Sequence, residues 1–457
     1  MRLTRAAALA AGLLAGGACT PAPRAGPAAA TPATADSAWV RSAALYEVFV
    51  QDFSPEGTLR GVLAGLDRIS TSGADVIWLM PLQPVGVERR KGPLGSRYSI
   101  RDYRAIDPAL GSAADLRALV DSAHARGLKV ILDWVPDHTA WDHPWITERP
   151  DYYVKDARGA ISVPIAPDGK PTDWTDVAQL DFANPAVRRE MVDAMRFWLE
   201  TYGLDGFRVD VAGFVPIAFW REAIPALRAA VPRRLLLLAE WGDLALHDAG
   251  FDLTYGWDGY AKLKEVWKGA PASVFVEQVM ADAAAMPAGG GRLRFTTNHD
   301  ETAWDRPPVT LFGGAAGART AFVAMALLPG RPLLYNGQEV ESPQRLGLFE
   351  RTAVAWGQPD SAAARAHYAR VMDLARTEPA LRAPAIEDVA TDAEQDVIAY
   401  RRGDLLVLVN ARPRPVSVTP QGIALAGATD LLGGPPPVGT SVALASHGAV
   451  VLRLARP

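Results

Sequence analysis

The sequence is poor in the features that would narrow its class quickly. It has one cysteine in 457 residues, Cys19, so neither an internal disulfide nor a thiolate metal site can form. No stretch reaches the ~18 uninterrupted apolar residues of a membrane span. The formal net charge is only −4, which leaves no basic footprint for nucleic acid. Neither GxGxxG nor GxxxxGK followed by Ser or Thr occurs, so no strand is followed by a phosphate-cradling loop. Internal repeats are absent as well. Charged residues make up 21% and hydrophobic ones 49%, which excludes a disordered or fibrous bulk. The length fits two to four domains, or one large barrel with an appendage. Trp is as frequent as Phe, 13 of each, suiting either a surface that stacks flat ligands or an aromatic core.

The lone cysteine follows an export signal. Arg2 and Arg5 precede an Ala/Leu run over 6–15, and Ala15-Gly16-Gly17-Ala18 places small residues directly before Cys19. This resembles a bacterial lipoprotein signal, with Gly16 where an aliphatic residue is usual. The resemblance implies a signal peptide over 1–18, lipidation of Cys19 and a place in the cell envelope; a plain secreted protein is the alternative. Residues 19–42, rich in Pro, Ala and Thr, read as the tether.

From residue 43 onward, short aliphatic runs alternate with amphipathic segments. Eight runs read as strands: Ala44–Phe49, Asp75–Pro81, Lys129–Val135, Gly206–Val211, Leu235–Trp241, Phe251–Gly256, Leu293–Asn298 and Arg331–Gly337. Near-continuous apolar character suits parallel strands buried on both faces. Intervening segments such as 113–126, 185–202, 217–231, 315–328 and 362–376 read as helices. Eight such units predict an α/β fold, a (β/α)8 TIM barrel over 43–382, rather than an open doubly wound sheet. Residues 139–184 are too long for an ordinary loop and read as an inserted domain overhanging the C-terminal face. Residues 383–457 read as a C-terminal antiparallel β domain, and Gly289–Gly291 as a loop before the seventh strand.

Ionisable residues gather at the C-terminal ends of these greasy strands. The third ends in Asp133-Trp134-Val135-Pro136-Asp137-His138, and the fourth carries Arg208 and Asp210. The fifth ends in Glu240-Trp241, and the seventh in Asn298-His299-Asp300. Two-residue spacing puts Arg208 and Asp210 on one face of a strand. Buried charge is costly unless paired, so four such placements on one rim point to chemistry. Glycosidic bond cleavage needs one carboxylic acid for the leaving oxygen and a second carboxylate at the anomeric carbon. Arg208 is expected to hold Asp210 ionised, as a nucleophile requires. Desolvation after Leu235–Ala239 is expected to raise Glu240, as an acid requires.

These motifs, in order and at the ends of the right strands, resemble the α-amylase family, glycoside hydrolase family 13. The resemblance spans residues 43–457, and Leu334–Glu339 fits its eighth-strand motif. It implies that Asp210 is the nucleophile of a retaining double displacement, Glu240 the general acid/base and Asp300 the third carboxylate. It further implies that Arg208 orients Asp210, that Tyr98 stacks on the sugar at the cleaved bond, and that His138 and His299 bind it. Trp241 joins this sugar-binding set, and Asp133 is structural. Where the family has a calcium-binding Asn, Asp137 stands, still an oxygen ligand suited to that ion; no cofactor is required for the chemistry. The usual Lys-His of the second motif is replaced by Gly213-Phe214, and Ser99 replaces an acidic residue frequent in α-glucosidases.

Singly, the same residues have plainer readings. Arg208–Asp210 alone fits a structural ion pair, and His138 a loop histidine. His124, His143, His247, His367 and His447 lack metal-ligand spacing. Asp142 and Asp173 read equally well as solvated or functional, and Trp141, Trp145 and Trp174 read as a small packed core in the inserted domain ahead of a sugar path. The combined expectation is a monomeric retaining hydrolase of α-1,4-glucosidic bonds in starch or maltodextrin. It touches the membrane only through its anchor. A transglycosylase or isomerase of the same family, or a non-catalytic glucan-binding lipoprotein, are the alternatives.

Overall fold

The computed structural model describes residues 38–455. The signal peptide, Cys19 and the tether up to residue 37 lie outside the described residues. The last five residues assigned to the tether do not behave as one: Ala38–Ser42 is a helix with Val40 buried. It is held because Arg331 Nε donates to the Val40 carbonyl at 2.9 Å, and Lys129 sits 5.5 Å over the Trp39 ring.

Eight strands close a parallel barrel. They are β1 (Leu45–Val48), β2 (Val76–Leu79), β3 (Lys129–Trp134), β4 (Gly206–Val209), β5 (Leu236–Ala239), β6 (Leu253–Tyr255), β7 (Gly291–Arg294) and β8 (Arg331–Tyr335). Each pairs in parallel with its neighbours, and β8 closes on β1. In β5 every residue of Leu-Leu-Leu-Ala is buried, which explains the absence of alternation in its sequence. Gly206 opens β4 at φ +153°, and a methyl there would stand 1.9 Å from the Leu236 carbonyl oxygen. Only glycine lets β4 lie this close to β5 just below Arg208.

Helices return each strand to the next. Ala113–Ala125 opens with a capping box of Ser112 and Asp115. Pro185–Tyr202 is capped by Asn184, starts with Pro at its first position and stops at Gly203, φ +73°. Its buried face carries Val187, Met191, Met195, Trp198 and Leu199, each worth about 1.5–3 kcal/mol of hydrophobic burial.

One boundary differs from expectation. β7 begins at Gly291, in register with Leu253 of β6, and ends at Arg294. Gly291 is therefore strand rather than loop, and the 297–300 motif lies beyond the strand. Asn298 there accepts a bond from Glu301 N at 2.9 Å and caps the short helix His299–Trp304. A capping side chain so close to the strand end starts a helix instead of extending the ladder.

After β3 the chain leaves the barrel, and two short strands, His138–Ala140 and Val177–Gln179, pair antiparallel in the inserted segment. At the C-terminus a five-stranded antiparallel sheet is centred on Val397–Arg402, Leu405–Asn410 and Ala449–Arg453. Alternate residues divide its faces. Ile398, Tyr400, Val407 and Val409 join the barrel core, whereas Ala399, Leu406 and Leu408 form a separate one. Tyr400 Oη and Arg402 Nη1 bond to the carbonyls of Ala324 and Leu327, docking this sheet on the helix Ala315–Ala326.

Candidate active site

Arg208 organises the floor of the barrel mouth. Its side chain is fully buried, with Nη1 2.8 Å from Asp133 Oδ1 and 2.9 Å from Asp210 Oδ1. Nη2 forms a 2.9 Å ion pair with Glu240 Oε1, and Nε donates to the Tyr255 hydroxyl at 3.2 Å. Asp210 and Glu240 each stand one residue past their strand. Both stay in the ladder, since Asp210 N donates to the Trp134 carbonyl and Glu240 N to that of Val209. Asp133 also accepts from Trp78 Nε1 and the Tyr98 hydroxyl, both at 3.1 Å.

Val211 is the strained point of the site. A β-branched residue at φ +35° is a steric outlier, yet this turn aims its N–H at Glu240 Oε2, 2.9 Å away. Strain held beside ionisable groups is a frequent mark of functional sites.

On the opposite wall, His299 Nε2 lies 2.7 Å from the Tyr98 hydroxyl and 3.2 Å from Asp300 Oδ2. Tyr98 stacks on the His299 ring at 5.5 Å. These groups, with His138, Asp210 and Glu240, line one cleft of about 300 Å³, at the small end of the range for small-molecule sites. Thus Asp210, Glu240, Asp300, Tyr98, His138 and His299 converge there, Arg208 lies beneath them, and Trp241 lies to one side.

The electrostatics differ from expectation at one residue. Burial raises the Glu240 carboxyl, and Asp300 adds to this against Arg208, as anticipated for an acid. Asp210, however, is not held low by Arg208. Burial and the Glu240 charge push it well up, and the guanidinium only partly opposes them. The physical reason is that Arg208 divides its charge among three carboxylates. The two candidate catalytic groups therefore titrate as a pair. Burial also acts on Asp300 and His299, but their mutual attraction prevails: Asp300 is lowered and the imidazole is raised.

Several lining residues were missed or misjudged. Trp174, expected in a packed core, lines the cleft, as does Asp173. Trp141 is buried in the core as expected, with Arg89 3.8 Å over its ring, and Asp142 accepts from Val87 N. Lys91 bridges Asp176 at 3.2 Å and the Asp173 carbonyl at 3.1 Å, tying the loop after β2 to the inserted segment. Ser99 bonds the Asp176 carbonyl beside it. Trp304, 63% exposed, and Phe349 form an outer aromatic pair. Neither carries a periodic signal that could have singled it out. The five remaining histidines have structural partners, for example His124 with Asp205 at 2.7 Å.

Where Lys-His was absent, the structure substitutes aromatic surface. Phe214 stacks on Trp174 at 5.3 Å and meets Trp241 edge-on at 5.7 Å. Gly213 is required beneath them, because a methyl there would stand 2.3 Å from the Trp241 ring. Gly213→Ala is expected to push Trp241 off Phe214 and cost about 1–3 kcal/mol through overpacking. Thermal melts and tryptophan fluorescence would register both changes.

Asp137, the candidate calcium ligand, is tied to its neighbours by hydrogen bonds. Its Oδ1 accepts from Gln179 Nε2 and its Oδ2 from His138 Nδ1, both at 3.3 Å. Among the described residues no three His, Cys, Asp or Glu side chains converge on a metal position. Both Asp137 oxygens are thus engaged by protein donors, whereas a calcium ion needs six to eight oxygens. Adding calcium or a chelator is expected to leave the melting temperature unchanged, whereas a resident ion would raise it by mass action.

The sequence and the fold are similar to those of known proteins. Residues 33–176 and 171–226 match the α-amylase catalytic domain. The α-amylase MalA of Haloarcula japonica is 31% identical over 421 residues, covering 87% of this chain and 59% of the relative. The trehalose synthase/amylase TreS of Mycobacterium tuberculosis is 36% identical over 229 residues, 43% of this chain and 36% of the relative. The chain thus spans less than two thirds of these curated relatives. The crystal structure of an α-amylase from Lactobacillus plantarum superimposes with a TM-score of 0.79 at 29% identity, covering 91% of this chain and 99% of that one. Residues 33–226 are thus similar to an α-amylase catalytic domain, and the described fold is similar to that of a solved α-amylase.

Proposed function

We propose that the protein is a retaining α-glucan hydrolase acting on α-1,4-glucosidic bonds of starch-like or maltodextrin substrates. The observation that carries this reading is the pair Asp210 and Glu240, each 2.9 Å from a different terminal nitrogen of the buried Arg208. Two carboxylates on one guanidinium are held near each other. That suits the ~5–5.5 Å separation of retaining enzymes rather than the wider inverting one.

Protonated Glu240 gives its proton to the glycosidic oxygen while Asp210 attacks the anomeric carbon, forming a glycosyl ester. Glu240, now ionised, takes a proton from water, which displaces Asp210 with net retention. Five buried or cleft carboxylates, Glu47, Asp133, Asp210, Glu240 and Asp300, surround two cations, Arg208 and His299. This excess of negative charge favours a proton remaining on the Asp210–Glu240 pair until substrate arrives. Asp300, kept ionised by His299, accepts hydrogen bonds from sugar hydroxyls. The reaction calls on no metal.

A second reading, glycosyl transfer, draws support from the Trp174–Phe214–Trp241 wall. An aromatic surface beside the acid holds a sugar acceptor against water. Incubation with maltoheptaose decides between them: shorter products of retained anomeric form support hydrolysis, and oligomers longer than the input support transfer. No turnover of any α-glucan would overturn both.

The N-terminal pattern supports export and a lipid anchor at Cys19. Mass spectrometry of the membrane fraction is expected to find that residue acylated; a soluble chain with a free thiol would refute the anchor.

A further inference from the structure

Glu47 belongs to none of the motifs above, yet it is completely buried in β1. A carboxylate at the floor of a barrel is costly unless something fixes it there. Its Oε1 lies 2.5 Å from Nδ1 of His299, and its Oε2 has no hydrogen-bond partner among the described residues. The ring it meets is itself 1% exposed. Trp78, edge-on at 5.9 Å, and Tyr98, stacked at 5.5 Å, fix the plane of that ring. Neither contact selects which nitrogen carries a proton. Glu47 does: burial raises its carboxyl, but the charge and hydrogen bond of His299 oppose this, and an ionised carboxylate accepts only from an N–H.

We propose that Glu47 is a positioning residue for the sugar site: by accepting the Nδ1–H of His299, it fixes the ring as a doubly protonated imidazolium that presents Nε2–H to Asp300, Tyr98 and bound sugar. The assignment rests on the function proposed above for its catalytic consequence, but the contact itself does not. A carboxylate behind a histidine orients the ring and raises its basicity. The other charged or titratable groups facing Glu47 are Arg208 from β4, Asp133 from β3, Tyr255 from β6 and Tyr335 from β8. Asp300 acts on the far side of the ring. Burial disfavours the imidazolium, and Asp300 with Glu47 offsets it.

Glu47→Gln keeps the shape and an accepting oxygen but removes the charge. It is expected to lower kcat/KM on maltoheptaose about 10–100-fold, the usual cost of losing an orienting outer carboxylate, with most of the loss in kcat. The alkaline limb of the pH–rate profile should move to lower pH, since His299 then deprotonates earlier. Glu47→Asp should restore part of both. Nitrogen-15 NMR of labelled His299 should show the ring losing its second proton at lower pH in Glu47→Gln than in wild type. A folded Glu47→Gln protein with unchanged His299 titration and an unchanged alkaline limb would overturn the proposal, even if overall activity fell. If the wild type cleaves no α-glucan, the functional reading fails, and the NMR titration alone still decides the role of Glu47.

Discussion

Asp210→Asn is expected to reduce turnover of maltoheptaose by four or more orders of magnitude while leaving the fold intact. The size follows from the role: removing the nucleophile of a covalent mechanism leaves only binding and electrostatic stabilisation, and comparable losses of about 10⁴–10⁶ accompany deletion of a nucleophile elsewhere. Glu240→Gln should be as damaging on maltoheptaose, but the two variants separate on chemistry. With an activated glycoside whose leaving group needs no proton, Glu240→Gln should form the glycosyl ester at near-normal speed and stall at hydrolysis. Asp210→Asn should fail at the first step. A burst of leaving group from Glu240→Gln, and none from Asp210→Asn, is the expected signature. Equal behaviour of the two on the activated substrate would sink the division of labour, and near-wild-type turnover by either on maltoheptaose would sink the site. Neither substitution should lower stability strongly. Asn and Gln remove a raised, buried charge, so melting temperatures should hold or rise.

The barrel was legible because a strand buried on both faces writes itself as an uninterrupted apolar run, as Leu235–Ala239 does. The rim was legible because Asp210 and Glu240 each end such a run, where packing has no use for a carboxylate. The limits were equally physical. β7 was placed two residues late because its register is set by Leu253 of β6, a partner with no imprint on the local sequence. Asp210 was expected to be ionised because Arg208 is its neighbour along the strand. The competing partners of that guanidinium, Asp133 and Glu240, come from β3 and the end of β5 and meet it only in space. Trp174 lies in a loop without periodicity, so nothing local distinguishes a cleft aromatic from a core one. Glu47 did leave a signal, a single charge inside Leu-Tyr-Glu-Val, but its histidine partner lies 252 positions away.

The same shared guanidinium makes Arg208 the most consequential residue for stability. Arg208→Met removes the cation from beneath Asp133, Asp210 and Glu240 and leaves them buried and uncompensated. Breaking a buried ion pair from one side costs about 3–5 kcal/mol, and here three partners lose their counter-charge together. The pH dependence has a definite sign. Burial already raises all three carboxyls above their usual range, and without Arg208 they rise further, while in the unfolded chain they titrate near 4. A carboxyl raised by folding binds its proton more tightly in the native state. It therefore favours the fold below its unfolded pKa and loses that contribution as pH rises through its folded pKa. The stability deficit of Arg208→Met against wild type should then be small near pH 4–5, where the three groups can protonate, and should grow through neutral pH. Arg208→Lys keeps the charge but not the fork that reaches three carboxylates at once, so its deficit should lie between the two. Urea denaturation of the three proteins at pH 5 and pH 8 measures this directly. A deficit of equal size at both pH values would mean that packing around the side chain, and not its charge, holds the floor of the site.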